Sequence, residues 1–226
     1  MKVEKQRIRL PIGNFEFEGG GVERKKHGKL FPSSIRAIIV GPSNCGKTNL
    51  MVSILIAKHG PRFENVYVFS KSSNQAKYNY LEHILKRVKG VGFYRFESQF
   101  LKPEEVKKHS ICIFDDVITD KQSPIQDFFA RGRHWLLDCF YLGQTYSRVP
   151  KQLIRDNANL IILFKMDEHN LKHAYNDHVA ADMTFAKFRE ICNLCWQEHH
   201  GFIVIDKDSG LNCGGYRKGF DSFIKL

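Results

Sequence analysis

The chain carries the pattern Gly-x-x-x-x-Gly-Lys-Thr between an apolar β-branched run and a run that favours a helix. The pattern lies at residues 41–48, with the apolar run at 35–40 and the helix-forming run at 49–58. A strand that leads through a glycine-rich loop into a helix is the context that makes this pattern a phosphate-binding loop. We therefore predict an NTP site formed by Gly41, Pro42, Ser43, Asn44, Cys45, Gly46, Lys47 and Thr48.

Each residue type in this loop suits the binding of ATP with Mg²⁺. Glycines allow the backbone to curl so that its N–H groups face phosphates, and the following helix presents the positive end of its dipole. Lys47 supplies a point charge for the β- and γ-phosphates, and the Thr48 hydroxyl is a magnesium ligand. The alternative is a glycine-containing turn before a helix with no ligand.

A second apolar strand, at residues 111–115, ends in two carboxylates, Asp115 and Asp116. This Walker B arrangement predicts that Asp115 holds Mg²⁺ and that Asp116 orients or activates a water molecule. A strand that simply leads into a turn would show the same letters, but the P-loop about 70 residues upstream favours the functional interpretation.

Apolar runs of strand length alternate with helical patterns along most of the chain. We predict strands at 65–70, 92–96, 110–115, 139–143, 160–164 and 201–206. We predict helices at 75–89, 122–131, 150–157, 167–178 and 184–197. This alternation is typical of an α/β fold, a three-layer P-loop NTPase with a mostly parallel central sheet. Residues 1–30 are interpreted as a basic N-terminal arm or edge hairpin, and 31–226 as the P-loop domain with a short C-terminal hairpin or tail.

At least one strand lies between the P-loop and Asp115, which is the order of the additional-strand (RecA-like) class. In that class a polar residue often ends the strand after Walker B. Here that residue is Gln144, which would hydrogen-bond the γ-phosphate and the attacking water, unless it is an ordinary loop residue.

Phosphoryl transfer also needs positive charge against the transition state. In ring ATPases an arginine of a neighbouring subunit supplies it. The candidates here are Arg133 and Arg155. Either residue could instead contact DNA phosphates or form a surface salt bridge.

The formal net charge of +11 predicts a polyanionic partner, nucleic acid before an acidic membrane, although a solvated basic surface is the alternative. We find no signal peptide and no apolar run of transmembrane length. The six cysteines are spread over the chain, which suits a reducing compartment.

Cys192 and Cys195 have the C-x₂-C spacing of a zinc site, with His199 and His200 nearby. Phe188 and both cysteines also fall at helical spacing. A buried helix face therefore explains the cysteines without a metal.

Taken together, these motifs resemble the FtsK–HerA superfamily of DNA-translocating ATPases, and more closely the genome-packaging ATPases of poxviruses and adenovirus-like viruses. The resemblance covers roughly residues 33–206. It is carried by the residues at 41–48, 113–116, 131–134, 141–146, 149–157 and 202–206. One departure is Asp116, where many superfamily members carry Glu.

The resemblance implies a ring-shaped homo-oligomer that hydrolyses ATP to drive double-stranded DNA into a preformed capsid, with a capsid protein as partner. It also implies a location in the virion or at the host-cell site of virus assembly. Two alternatives remain open. One is a small nucleoside or nucleotide kinase, and the other is a non-catalytic NTP-binding DNA adaptor.

Overall fold

The computed structural model describes residues 27–226, which form a nine-stranded sheet with helices packed on it. The strands are β1 (Arg36–Val40), β2 (Asn65–Phe69), β3 (Gly92–Phe96), β4 (Ser110–Asp115), β5 (Leu137–Gly143), β6 (Leu160–Phe164), β7 (Phe202–Asp206), β8 (Tyr216–Lys218) and β9 (Ser222–Phe223). The helices are α1 (Lys47–Ile56), α2 (Ala76–Leu85), α3 (Ser123–Arg131), α4 (Glu168–His178) and α5 (Phe185–Cys195).

The sheet has the order β3-β2-β4-β5-β1-β6-β7-β8-β9. The first six strands in this order are parallel, whereas β7, β8 and β9 add to β6 as an antiparallel edge. The predicted α/β class with a mostly parallel sheet is therefore confirmed. Near the C-terminal end, β8 and β9 pair with each other.

One strand separates the P-loop strand from the strand that ends in Asp115. β5 pairs with β1 on one side and with β4 on the other. The carboxyl ends of β1, β5 and β4 thus lie side by side, with neighbours about 4.8 Å apart. This is the additional-strand arrangement that the order of the motifs predicts.

Alternation along the strands builds two apolar layers, one on each face of the sheet. On β1, Ala37 and Ile39 face a core with α1 and α2. Ile38 and Val40 face the other core, with α3, α4 and α5. Because both faces are covered, the central strands are apolar throughout, as in other parallel sheets.

The predicted helix at 150–157 is wrong. This segment forms an irregular turn, with Gln152 extended at ψ 131° and Leu153 in the left-handed region at φ 66°. Ile154 and Arg155 in this turn are buried, so tertiary contacts outweigh the local helical pattern. Several predicted boundaries also shift; α2, for example, ends at Leu85 and β5 begins at Leu137.

Most of the predicted N-terminal arm, residues 1–26, lies outside the described residues. At its end, His27 is buried with 2% of its surface exposed. Its Nδ1 accepts the Arg62 backbone N–H at 3.0 Å, and its Nε2 lies 3.0 Å from the buried Asp138 carboxylate. His27 therefore joins the start of the described chain to the amino end of β5. Across residues 27–226, every helix is too short or too polar to span a bilayer.

Candidate nucleotide site

The P-loop connects the carboxyl end of β1 to α1, as predicted. Asn44 and Gly46 have positive φ angles of 61° and 109°, which give the loop its curl. A side chain at Gly41 would place its Cβ 2.6 Å from both the Cys45 sulfur and the Phe164 Cβ, so only glycine fits there. The Lys47 ammonium lies 2.7 and 2.8 Å from the carbonyl oxygens of Gly41 and Pro42, folded over the loop.

The structure brings together Thr48, at the start of α1, and Asp115, the last residue of β4. The Thr48 hydroxyl donates to Asp115 Oδ2 at 3.4 Å. Tyr78 of α2, which is fully buried, donates its hydroxyl to the same oxygen at 2.7 Å, and Gln75 approaches it at 3.5 Å. Burial raises the pKa of the Asp115 carboxyl, whereas the Tyr78 hydrogen bond and the Lys47 charge act to lower it.

Asp116 and Gln144 face the same cavity as the P-loop. Asp116 is exposed and adopts φ 57°, a left-handed conformation that is strained for a non-glycine residue and that turns the chain directly after β4. Gln144 follows the last residue of β5 and is also exposed. The cavity measures about 190 Å³, and it is also lined by Lys47, Thr48 and Asp115.

The two candidate arginines have different surroundings. Arg133 is exposed and lines a different cavity, beside Arg36 and Asp138 at the amino ends of β1 and β5. Because β5 spans about 20 Å, Arg133 lies at the sheet edge opposite its own P-loop. Arg155 is buried and forms an ion pair with Asp177, so in this structure its guanidinium lies inside the domain and does not extend from its surface.

A buried polar cluster lies behind the end of β5. Tyr146 donates its hydroxyl to Asp177 at 3.0 Å, and the Nε2 of His178 lies 2.8 Å from the same hydroxyl. Arg155 stacks over the Tyr146 ring at 5.2 Å and shares the Asp177 carboxylate. Burial, with Lys207 and Arg155 nearby, lowers the pKa of His178 from 6.5 to about 4. The neutral imidazole is therefore the form that the fold accommodates.

His200 contacts the P-loop from the far end of the chain. Its Nδ1 donates to the Cys45 carbonyl at 2.8 Å, and its ring lies 3.4 Å from where a Gly46 Cβ would be. Burial raises the pKa of the Cys45 thiol although Lys47 lies close, so the thiol is neutral at pH 7.

Cys192 and Cys195 both face the core from α5, in agreement with the helix-face interpretation, and burial raises the pKa of Cys195 to about 11. Residues 27–226 contain no group of three or more His, Cys, Asp or Glu side chains placed to hold a metal.

Two parts of the site were not identified in the sequence. The first turn of α2 supplies Gln75, Lys77 and the buried Tyr78, and the loop before β7 supplies His200. The first group could have been predicted from the order of elements, because a helix that follows a parallel strand begins at the carboxyl edge of the sheet, where the P-loop also lies. No local pattern identifies His200, whose contact with Cys45 spans 155 residues.

Comparison with known families identifies one match. A profile of the family described as Poxvirus A32 protein matches residues 23–206, most of the chain. No curated protein sequence matches the chain.

Several solved structures have a similar fold. The genome packaging NTPase B204 from Sulfolobus turreted icosahedral virus 2, in complex with sulfate, is 15% identical and superposes with a TM-score of 0.54, covering 77% of this chain and 92% of that chain. Its complex with AMP gives 15% identity and a TM-score of 0.51, covering 77% and 94%. B204, the DNA-packaging ATPase from Sulfolobus Turreted Icosahedral Virus, is 15% identical and superposes with a TM-score of 0.52, covering 76% of this chain and 92% of that chain. At this level of identity the likeness establishes the fold.

Proposed function

Because the chain belongs to the Poxvirus A32 protein family, we propose that it is a viral DNA-packaging ATPase, which hydrolyses ATP to move double-stranded DNA into a capsid. The observation that carries the proposal is one cavity. It brings together the P-loop Lys47 and Thr48, the carboxylates Asp115 and Asp116, and Gln144. These are the groups that ATP hydrolysis requires, and they come from three adjacent parallel strands.

ATP binding rests on the P-loop. Its amides and the amino end of α1 would hold the phosphates, and Lys47 would leave the carbonyl oxygens of Gly41 and Pro42 to meet them. The B204 structures with nucleotides support an ATP-type ligand for this fold.

The donor set at Thr48 and Asp115 fits Mg²⁺, which takes hard oxygen ligands and binds at phosphate sites through one or two protein side chains. The ion would neutralise charge on the β- and γ-phosphates. Burial disfavours the charged form of the Asp115 carboxyl, and a cation bound beside it would favour that form.

Asp116 and Gln144 would act on the attacking water. The Asp116 carboxylate is held exposed towards the cavity and would accept a proton from the water. Gln144 would orient the same water against the γ-phosphate.

Assembly into a ring would complete the site. We propose Arg133 as the residue that reaches a neighbour's nucleotide, because it is exposed, whereas Arg155 is held by Asp177. The formal charge of +11 suits sequence-independent contacts to DNA phosphates. A capsid protein is the further partner, and the site of virus assembly is the location.

The experiment is steady-state ATP hydrolysis with and without long double-stranded DNA. Lys47→Ala and Asp116→Asn should lose the DNA-stimulated turnover. Lys58→Ala, an exposed lysine just after α1, and Asp127→Asn, a partly exposed carboxylate on α3, are the matched controls and should retain it.

The outcomes also separate the two alternatives. ATP binding without turnover, with DNA present and the protein assembled, would favour the adaptor. Phosphoryl transfer to nucleosides without any effect of DNA would favour the kinase.

A further inference from the structure

The first turn of α2 lines the same cavity as the P-loop. Gln75 and Lys77 line the cavity from this turn, with Ser72 from the loop before it. None of these residues belongs to a Walker motif. They are at the site because α2 follows β2, whose carboxyl end lies next to that of β4.

Contacts on both sides of α2 fix the position of this turn. On the inner side, the buried Tyr78 hydroxyl donates to Asp115 at 2.7 Å. On the outer side, the Arg95 guanidinium from β3 donates to the Tyr78 carbonyl at 3.2 Å and to Asn79 Oδ1 at 2.7 Å. The start of α2 therefore has a defined place relative to the magnesium-binding carboxylate.

Lys77 is an exposed cation with no ion pair among residues 27–226. Nearby lysines differ, since Lys71 pairs with Asp120 at 2.6 Å and Lys86 pairs with Glu82 at 2.9 Å. Within the described residues, Lys47 and Lys77 are the only basic side chains that line the cavity.

We propose that Lys77 is a catalytic residue that contacts the γ-phosphate of ATP bound in its own subunit. The inference rests on the proposed ATPase function. Lys47 lines the cavity from the P-loop, and Lys77 lines it from the start of α2, next to Tyr78, whose hydroxyl contacts Asp115. A cation there would stabilise the charge that spreads over the oxygens of the transferred phosphoryl group.

In the step itself, a water oxygen forms a bond to the γ-phosphorus while the bond from that phosphorus to the β,γ-bridging oxygen breaks. ADP leaves with the electron pair of the broken bond. The water proton passes to Asp116 and from there to solvent, and inorganic phosphate is the second product. Lys77 takes no part in proton transfer and acts through its positive charge.

Lys77→Gln is the test variant, and Lys89→Gln, an exposed lysine just beyond the same helix, is its control. We expect Lys77→Gln to lower kcat by about 10²-fold, in the range seen when one transition-state donor is removed. Equilibrium binding of AMPPCP should weaken about tenfold while ADP binding is unchanged, because only the γ-phosphate is contacted. Lys89→Gln should match the wild type in all three measurements.

Mixing subunits tests whether Lys77 acts within its own subunit. Lys77→Gln protein mixed with Lys47→Ala protein should show no restored turnover, because no single site then contains both lysines. Restored turnover would assign Lys77 to the neighbour's site and overturn the proposal.

An unchanged kcat for Lys77→Gln, or equal weakening of AMPPCP and ADP, would also overturn the proposal while leaving the ATPase function intact. A wild-type protein without turnover would refute both.

Discussion

The Tyr78 hydroxyl gives the sharpest test of how the Asp115 carboxylate is held. Tyr78→Phe removes one oxygen and leaves the ring in place. Among the contacts within the described part of the chain, Asp115 Oδ2 then keeps only the longer ones, from Thr48 at 3.4 Å and Gln75 at 3.5 Å. A hydrogen bond to a charged group contributes about 1.5–3 kcal/mol, so the free energy of unfolding should fall by that amount.

The assay is urea unfolding at pH 8, without nucleotide, in two backgrounds. In Asp115→Asn the acceptor is neutral, and a neutral hydrogen bond contributes only about 0.5–1.5 kcal/mol. Tyr78→Phe should therefore cost about 1–2 kcal/mol less in that background than in the wild type. Tyr67→Phe is the control, since within residues 27–226 the buried Tyr67 hydroxyl meets only a 3.4 Å contact from the Lys107 N–H.

An equal cost of Tyr78→Phe in the two backgrounds would refute the reasoning. It would mean that the hydroxyl matters for packing and not for the Asp115 charge.

Three further predictions follow from the buried groups and the P-loop. Because the folded state lowers the His178 pKa from 6.5 to about 4, the unfolded chain binds more protons between these values, so stability should fall as the pH drops from 6.5 to 4. His178→Gln should reduce this pH-dependent loss of stability by at most about 3 kcal/mol, measured by urea unfolding across the pH range. An unchanged pH dependence would assign the loss to other groups. Asp177→Ala should cost about 3–5 kcal/mol, because it leaves the Arg155 guanidinium buried without its carboxylate; a thermal or urea midpoint near that of the wild type would contradict this. Gly41→Ala should weaken ATP binding by at least tenfold in calorimetry, because its Cβ would meet the Cys45 sulfur and the Phe164 Cβ at 2.6 Å, whereas Gly28→Ala, with 3.7 Å of room, should bind normally.

The central sheet was predictable because its strands are short apolar runs separated by helical patterns. The convergence of Lys47, Asp115 and Gln144 was predictable for a related reason, since parallel strands bring their carboxyl ends to one edge. These inferences need only periodicity and the order of motifs along the chain.

The remaining parts of the site depend on contacts between distant segments. Lys77 lies in a turn whose sequence has no motif. The position of that turn is fixed by the neighbouring Tyr78, which contacts Asp115 and Arg95. The segment at 150–157 has a helical pattern, yet burial of Arg155 against Asp177 holds it in an irregular turn. Local propensity is a weak prior in such places, because tertiary contacts outweigh it.

The place of β1 in the sheet has a consequence for synthesis of the protein. β1 carries the P-loop, but its two partners arrive much later, since Arg36 pairs with Cys139 and Ala37 pairs with Leu160. The ribosome must therefore synthesise more than 120 further residues before the P-loop strand has both neighbours. Both edges of β1 are unpaired until β5 is made, and one edge stays unpaired until β6 follows, which is a state prone to aggregation. Chains truncated before β6 should consequently be insoluble and unable to retain nucleotide.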